Sequence, residues 1–258
     1  MNSPYGSLFY KDHAPGSRRS AEHIVPMILE LTNARSVVDV GCGVGTWLSV
    51  YAEKSLDDYM GLDGPWVDPK QLLISPKYFQ ATNLSQPPAL SRRFDLAQSL
   101  EVAEHLQDTH AKAFVAFLAR LSDVVVFSAA IPFQGGTDHV NEQWPGYWHE
   151  LFAEQGFAFY DAFRPRLWPN DSVQWWYAQN MFLYVKSGSS PTLEKRLESH
   201  RGWIYPERIV HPRRIDPKLR PPPTIMHLVN AMPAAVVDRF RRFMGRAAKD
   251  SRSHHHAP

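Results

Sequence analysis

The sequence predicts an α/β protein built on a doubly wound, mostly parallel sheet, and three observations carry that reading. Short apolar runs recur between helical stretches, the pattern of successive βαβ units. The first run, Ser36–Val40, feeds into a glycine-rich turn, Gly41-Cys42-Gly43-Val44-Gly45, and a helix follows at once. The second run, Tyr59-Met60-Gly61-Leu62, ends in an acid, Asp63, 22 positions after Gly41.

The elements follow in order. Residues 1–16 read as an irregular lid or arm with Tyr5, Phe9, Tyr10 and His13 among Gly and Pro. Ser17–Leu31 reads as an amphipathic helix with Ile24, Met27, Ile28 and Leu31 on one stripe, Pro26 marking a kink or a later start. Asp39 leads the glycine turn from inside the strand end. Three glycines at alternate positions let the backbone turn tightly and let a ligand approach the main chain. The helix at Thr46–Lys54 would offer free N–H groups to that ligand. A dinucleotide or S-adenosylmethionine would suit such a turn. The dinucleotide fingerprint wants Gly where Thr46 stands.

Asp63 is spaced to accept hydrogen bonds from ribose hydroxyls, or is a solvated strand-end acid. A third strand is expected at Tyr78–Leu84, with Asn83 either facing a base edge or capping the turn before Pro87-Pro88. The fourth, Phe94–Glu101, runs into Val102-Ala103-Glu104-His105-Leu106. A helix at His110–Leu121 precedes strand five, Asp123–Ser128; a helix over 141–156, a strand near Ala158–Phe163 and a last strand at Asn180–Lys186 complete the series. Leu167–Asp171 carries turn chemistry before that strand.

The Asp-x-Gly-x-Gly-x-Gly turn and the Glu101-Val-Ala-Glu104-His105 stretch resemble motifs of class I S-adenosylmethionine-dependent methyltransferases over roughly residues 10–186. The resemblance implies a Rossmann-like sheet of seven strands whose last strand runs antiparallel. It implies S-adenosyl-L-methionine as cofactor, bound by Asp39, Gly41, Cys42, Gly43, Gly45, Asp63, Asn83, Leu84, Ser99, Leu100 and Glu101, with Ser20 and Arg19 reaching towards its carboxylate, unless Arg19 belongs to a solvated helix face. Bacterial methyltransferases of surface glycans and glycosylated metabolites are the relatives suggested by the loop Gly135–Trp144 and by residues 175–180.

Transfer of a sulfonium-bound methyl is an in-line displacement, and a hydroxyl acceptor needs a base. His139, on the loop after strand five, is the first choice, with Glu142 or Asp138 orienting it and His105 nearby. Substrate binding alone, or fixing the loop, are the competing roles for His139. Glu101, Glu104 and His105 have the spacing to hold a divalent metal, a use the same string lacks in many metal-independent relatives; His105 bonding a backbone carbonyl is the rival. Trp144, Trp148, Trp176 and Tyr177 are the expected acceptor-side rings, unless they are core. An N- or C-methyltransferase of a small metabolite is a second reading, and a non-catalytic cofactor-binding module docking through its tail a third.

Charge divides the chain. Residues 1–186 hold 14 basic and 20 acidic residues, residues 187–258 14 and 6. An acidic body argues against a nucleic-acid substrate lying across it and for a small-molecule or carbohydrate substrate. We expect a methyltransferase domain at 1–189, with arm and helix at 1–35, and a Pro-rich basic extension at 190–258 ending in an amphipathic helix at Ala234–Ala248 suited to a membrane surface, a protein partner or the body itself. With Cys42 the only cysteine and no apolar leader or span, a cytoplasmic setting, extending to the inner membrane face, is expected. The pattern does not address oligomeric state.

Overall fold

The computed structural model describes residues 7–215, with side chains from residue 15 on. The tail helix at Ala234–Ala248, the prolines at 221–223 and Tyr5 lie outside the described residues.

Seven strands form one sheet in the order β3-β2-β1-β4-β5-β7-β6. They are β1 (Ser36–Val40), β2 (Asp58–Asp63), β3 (Phe79–Ala81), β4 (Leu96–Leu100), β5 (Val124–Ser128), β6 (Phe157–Tyr160) and β7 (Phe182–Lys186). The first five pair in parallel, and β7 runs antiparallel between β5 and β6. The helices are α1 (Ser7–Thr32), α2 (Thr46–Glu53), α3 (Asp108–Leu121), α4 (Pro145–Glu154), α5 (Arg164–Leu167), α6 (Trp175–Asn180), α7 (Pro191–Leu197) and α8 (Pro212–Ile215). The central strands are buried on both faces, β4 and β5 at every residue. That is why they read as unbroken apolar runs rather than alternations. Strand order reverses between β1 and β4, so the crevice beyond their carboxyl ends is the place where such a sheet takes a ligand.

Several expectations change. α1 starts at Ser7 and runs through Pro15 and Pro26, so residues 7–16 are helical rather than an irregular arm. A proline inside a helix costs about 3 kcal/mol. Ile24, Val25 and Ile28, all fully buried, offset it at roughly 1.5–3 kcal/mol each. The helix expected from residue 141 begins at Pro145, a residue whose fixed φ suits the first helical position. β6 and β7 are joined by α5 and α6 across residues 161–181.

Residues 191–197, expected to be extended, form α7, again with proline at the first turn. Its Leu193 and Leu197 enter the core cluster beneath α1 and α6. Residues beyond α7 are clamped by a buried ion pair. Arg164 and Asp161, both 0% exposed, meet at 2.5 Å. Asp161 accepts the N–H groups of Ile204 and Tyr205, while Arg164 donates to the carbonyls of Tyr205 and Pro206. A chain ending at Ser189 is therefore expected to lose about 3–6 kcal/mol of stability from the two leucines alone, measured by urea unfolding. An unchanged midpoint would mean that α7 contributes no core.

Candidate functional site

The glycine turn is a cradle closed by an acid. Gly41, Gly43 and Gly45 all have positive φ, and a Cβ at Gly41 would stand 2.3 Å from Val102. The turn therefore presents bare backbone at the carboxyl end of β1. Asp63 reaches back into it, accepting from Gly43 N–H at 2.6 Å through Oδ2 and from Gly64 N–H at 2.6 Å through Oδ1. The Trp66 indole is a third hydrogen-bond partner of this carboxylate, which leaves lone-pair capacity for one further hydroxyl. Asp39 lies beneath the turn, 2% exposed, and burial raises its carboxyl to about 7, with Gln98 opposing and Asp63 reinforcing the shift. Trp66 lies directly over Gly64, where a Cβ would collide with its indole.

A second group of polar residues gathers beyond β4 and β5. Glu101 adopts φ +55°, a conformation non-glycine residues enter at a cost. Its N–H donates to Ser128, and its carboxylate accepts from Gln134 Nε2 at 2.7 Å and Asn180 Nδ2 at 3.2 Å. Gln179 Nε2 donates to Asn180 Oδ1. Burial raises the Glu101 carboxyl to about 7.

The loop after β5 lies against this group. His139 Nδ1 stands 2.8 Å from Glu142 Oε1, which also accepts Gly135 N–H at 2.7 Å. One carboxylate thus fixes both the loop and the ring. A Cβ on Gly136 would lie 2.2 Å from His139 Nε2, so glycine is what lets the imidazole fold back. Val140 and Asn141 donate their N–H groups to Glu104 O, pinning the loop to the turn Ala103–His105. Glu104, His105 and His139 bring potential ligand atoms within 4.8 Å of one another. The Glu104 side chain is fully buried, and neither oxygen makes a hydrogen bond; the backbone N–H groups of Glu104 and Ala130 face it without reaching normal geometry.

Turn, acid and polar loop share one end of the sheet. A family model described as a methyltransferase domain matches residues 13–197. The chain belongs to the methyltransferase-domain family. The class I resemblance read from the glycine turn holds, and the seven-stranded sheet with its reversed β7 is that fold. Among solved structures, Streptomyces venezuelae DesVI aligns at 17% identity with TM-score 0.52, covering 70% of this chain and 96% of that one. CalS10, an amino pentose methyltransferase from Micromonospora echinaspora involved in calicheamicin biosynthesis, was solved with SAM bound. It aligns at 15% identity with TM-score 0.51, covering 72% of this chain and 100% of that one. No curated protein sequence matches significantly.

The methyltransferase places its expected site residues unevenly. Cys42 is buried against Gly61, and burial holds its thiol well above the usual range, so it is packing rather than a nucleophile. Asn83 uses Oδ1 to accept Ser85 N–H, the turn-capping arrangement. Leu84 and Leu100 are buried in the core, and Ser99 Oγ donates to Val40 O, tying β4 to β1. Ser20 is not available to a ligand as expected: its hydroxyl donates to Gly16 O and accepts Gln174 N–H, joining α1 to α6. Arg19 is exposed. Trp148 is a core residue 5.2 Å from Phe127. Tyr177 is buried under α1, edge-on to Trp47 at 5.1 Å, and Trp176 is half-buried against the same core. Trp144 is half-buried with Arg208 over its ring. His105 is kept neutral, burial and then His139 lowering it to about 4. Among the described residues no helix is long and apolar enough to cross a membrane.

Sequence reasoning passed over Gln134, Ser128 and Trp66. Gln134 lay inside the singled-out loop, and its amide type beside an acid was the available signal. Glu104 carries a pH signature. Burial and the neighbouring Glu101 hold its carboxyl well above the ordinary 4.5, so the fold keeps a proton that the unfolded chain releases. That contribution is intact below pH 4.5 and is lost as pH rises towards the folded value. In EDTA, Glu104→Gln is expected to gain stability relative to wild type steadily as pH rises from 4.5 to 8, read from paired thermal melts. A gap independent of pH would contradict a buried, proton-holding Glu104.

Proposed function

We propose that this methyltransferase moves the methyl of S-adenosylmethionine to a hydroxyl of a sugar or sugar-bearing small molecule. The glycine turn and Asp63 are the donor's seat: backbone approach at Gly41–Gly45, ribose hydroxyls at Asp63, and the methionine part along Leu100–Glu101. The observation that carries the acceptor chemistry is the His139–Glu142 pair. With Nδ1–H donated to Glu142, Nε2 bears the lone pair and can take a proton from an attacking hydroxyl. The amide–carboxylate group of Glu101, Gln134 and Asn180 supplies donors and acceptors for a polyhydroxylated acceptor. The amino pentose acceptor of CalS10 supports a sugar on this fold. A turnover screen with labelled methyl donor tests it: methyl recovered on a sugar oxygen supports the reading, and recovery only on nitrogen or carbon overturns it. A docking module without turnover is disfavoured by the intact Asp39, Asp63 and glycine turn.

One observation favours a metal-assisted form of the reaction. Glu104 has two buried oxygens without hydrogen bonds, beside the imidazoles of His105 and His139. Such a mixed oxygen and nitrogen set suits a divalent first-row cation. When bound, the cation would acidify a hydroxyl that it holds. Glu104, His105 and His139 would hold it, while Glu142 keeps His139 in the required tautomer. Dialysis against EDTA separates the two forms: activity restored only by manganese, magnesium or zinc supports the cation, and chelator-insensitive turnover leaves His139 as base.

A further inference from the structure

A cavity of ≈ 550 Å³ lies away from the glycine turn, between α4, β6 and the segment at residues 203–208. Trp144, Tyr147, Phe159 and Trp203 supply its rings, and Glu150, Glu207 and Arg208 its charges. Its size falls within the range of small-molecule sites. The wall at 203–208 is fixed, because the buried Asp161–Arg164 pair holds the main chain of Ile204, Tyr205 and Pro206. From the other side, His211 N–H donates to Gln179 Oε1, beside the amide group that meets Glu101.

His149 is a fixed part of the cavity wall. It is 7% exposed and lines the cavity. Nδ1 is taken by Tyr184 OH at 2.6 Å, and the ring stacks on Phe159 at 3.7 Å. Nε2 is buried and has no hydrogen-bond partner. The rings of Phe159 and Trp203 pack against the imidazole, so Nε2 is sealed from the cavity and the ring serves to hold that wall in place. The ring is neutral in the working range, since burial and then Arg164 lower it to about 3.

We propose that this cavity binds a polyhydroxylated sugar ring, a recognition subsite for the acceptor. The reading rests on the sugar-hydroxyl function above. Aromatic faces suit the C–H face of such a ring, the two carboxylates accept from its hydroxyls, and Arg208 completes the polar set. The cavity is continuous in sequence with the catalytic loop: Gln143, on its wall, follows Glu142 directly and donates from Nε2 to Asn141.

Saturation-transfer NMR on the full chain, with saturating S-adenosylhomocysteine, tests the proposal with methyl glycosides of glucose, mannose, rhamnose and xylose. Cyclohexanol serves as the apolar control. The expected result is contact with at least one glycoside and not with cyclohexanol, weakened about tenfold in Glu207→Gln and Trp203→Ala with S-adenosylhomocysteine affinity unchanged. No transfer to any glycoside, meaning that water alone fills the site, overturns the proposal, as does binding unaltered by both variants. Methyl transfer to sugar oxygen without this binding would remove the subsite and leave the function. Glycoside binding without any methyl transfer to oxygen would do the reverse.

Discussion

Replacing His139 with Ala is expected to lower kcat by about 10²–10⁴ while donor affinity stays within about twofold of wild type. The asymmetry follows from geometry. His139 is held by Glu142 and folded over Gly136 on the loop after β5, and it makes no contact with the glycine turn or Asp63. Gly136→Ala should reproduce much of the loss, because its methyl would occupy the space of the imidazole. Glu142→Gln should fall between wild type and His139→Ala, since an amide can orient the ring but cannot stabilise it once protonated. Single-turnover kinetics with a responsive acceptor, paired with calorimetry on S-adenosylhomocysteine, reads both quantities. Turnover within threefold of wild type in His139→Ala would remove both the base and the metal-ligand roles.

Asp63→Ala has the opposite signature. Its carboxylate receives two main-chain N–H groups at 2.6 Å and the Trp66 indole, and a ribose hydroxyl would take the remaining capacity. A hydrogen bond to a charged group contributes about 1.5–3 kcal/mol. Loss of that contact should therefore weaken the donor by about tenfold or more. Asp63→Asn, which keeps acceptor capacity without charge, should lie between. Equal affinity in Asp63→Ala, by calorimetry, would show that the donor does not use this acid.

Much of this was legible in order and spacing. β1, its glycine turn and α2 are local, and an acid 22 residues on needs only the length of one βαβ unit. Boundaries blurred around prolines: the helix expected from residue 141 starts only at Pro145, Pro191 begins another, and Pro15 and Pro26 sit inside a third. Side-chain roles failed where tertiary partners decide. Ser20 looked ligand-facing until Gln174, 154 residues away, took its hydroxyl. Trp148 is indistinguishable in sequence from Trp144, but one faces Phe127 in the core and the other lines a cavity. The unpaired oxygens of Glu104 and the Nε2 of His149 are products of burial, a property that no local pattern reports. The cavity wall at 203–208 depends on the Asp161–Arg164 pair reaching forward some 40 residues, beyond any periodicity.

Titrating the protein with S-adenosylhomocysteine and, separately, with NAD by calorimetry tests the donor seat most directly. We expect saturable one-to-one binding of S-adenosylhomocysteine, abolished or much weakened in Asp63→Ala, and no heat from NAD. Silence with S-adenosylhomocysteine at millimolar concentration, or saturable binding of NAD in its place, would contradict the assignment of the cleft at Gly41–Gly45 and the methyl transfer built on it.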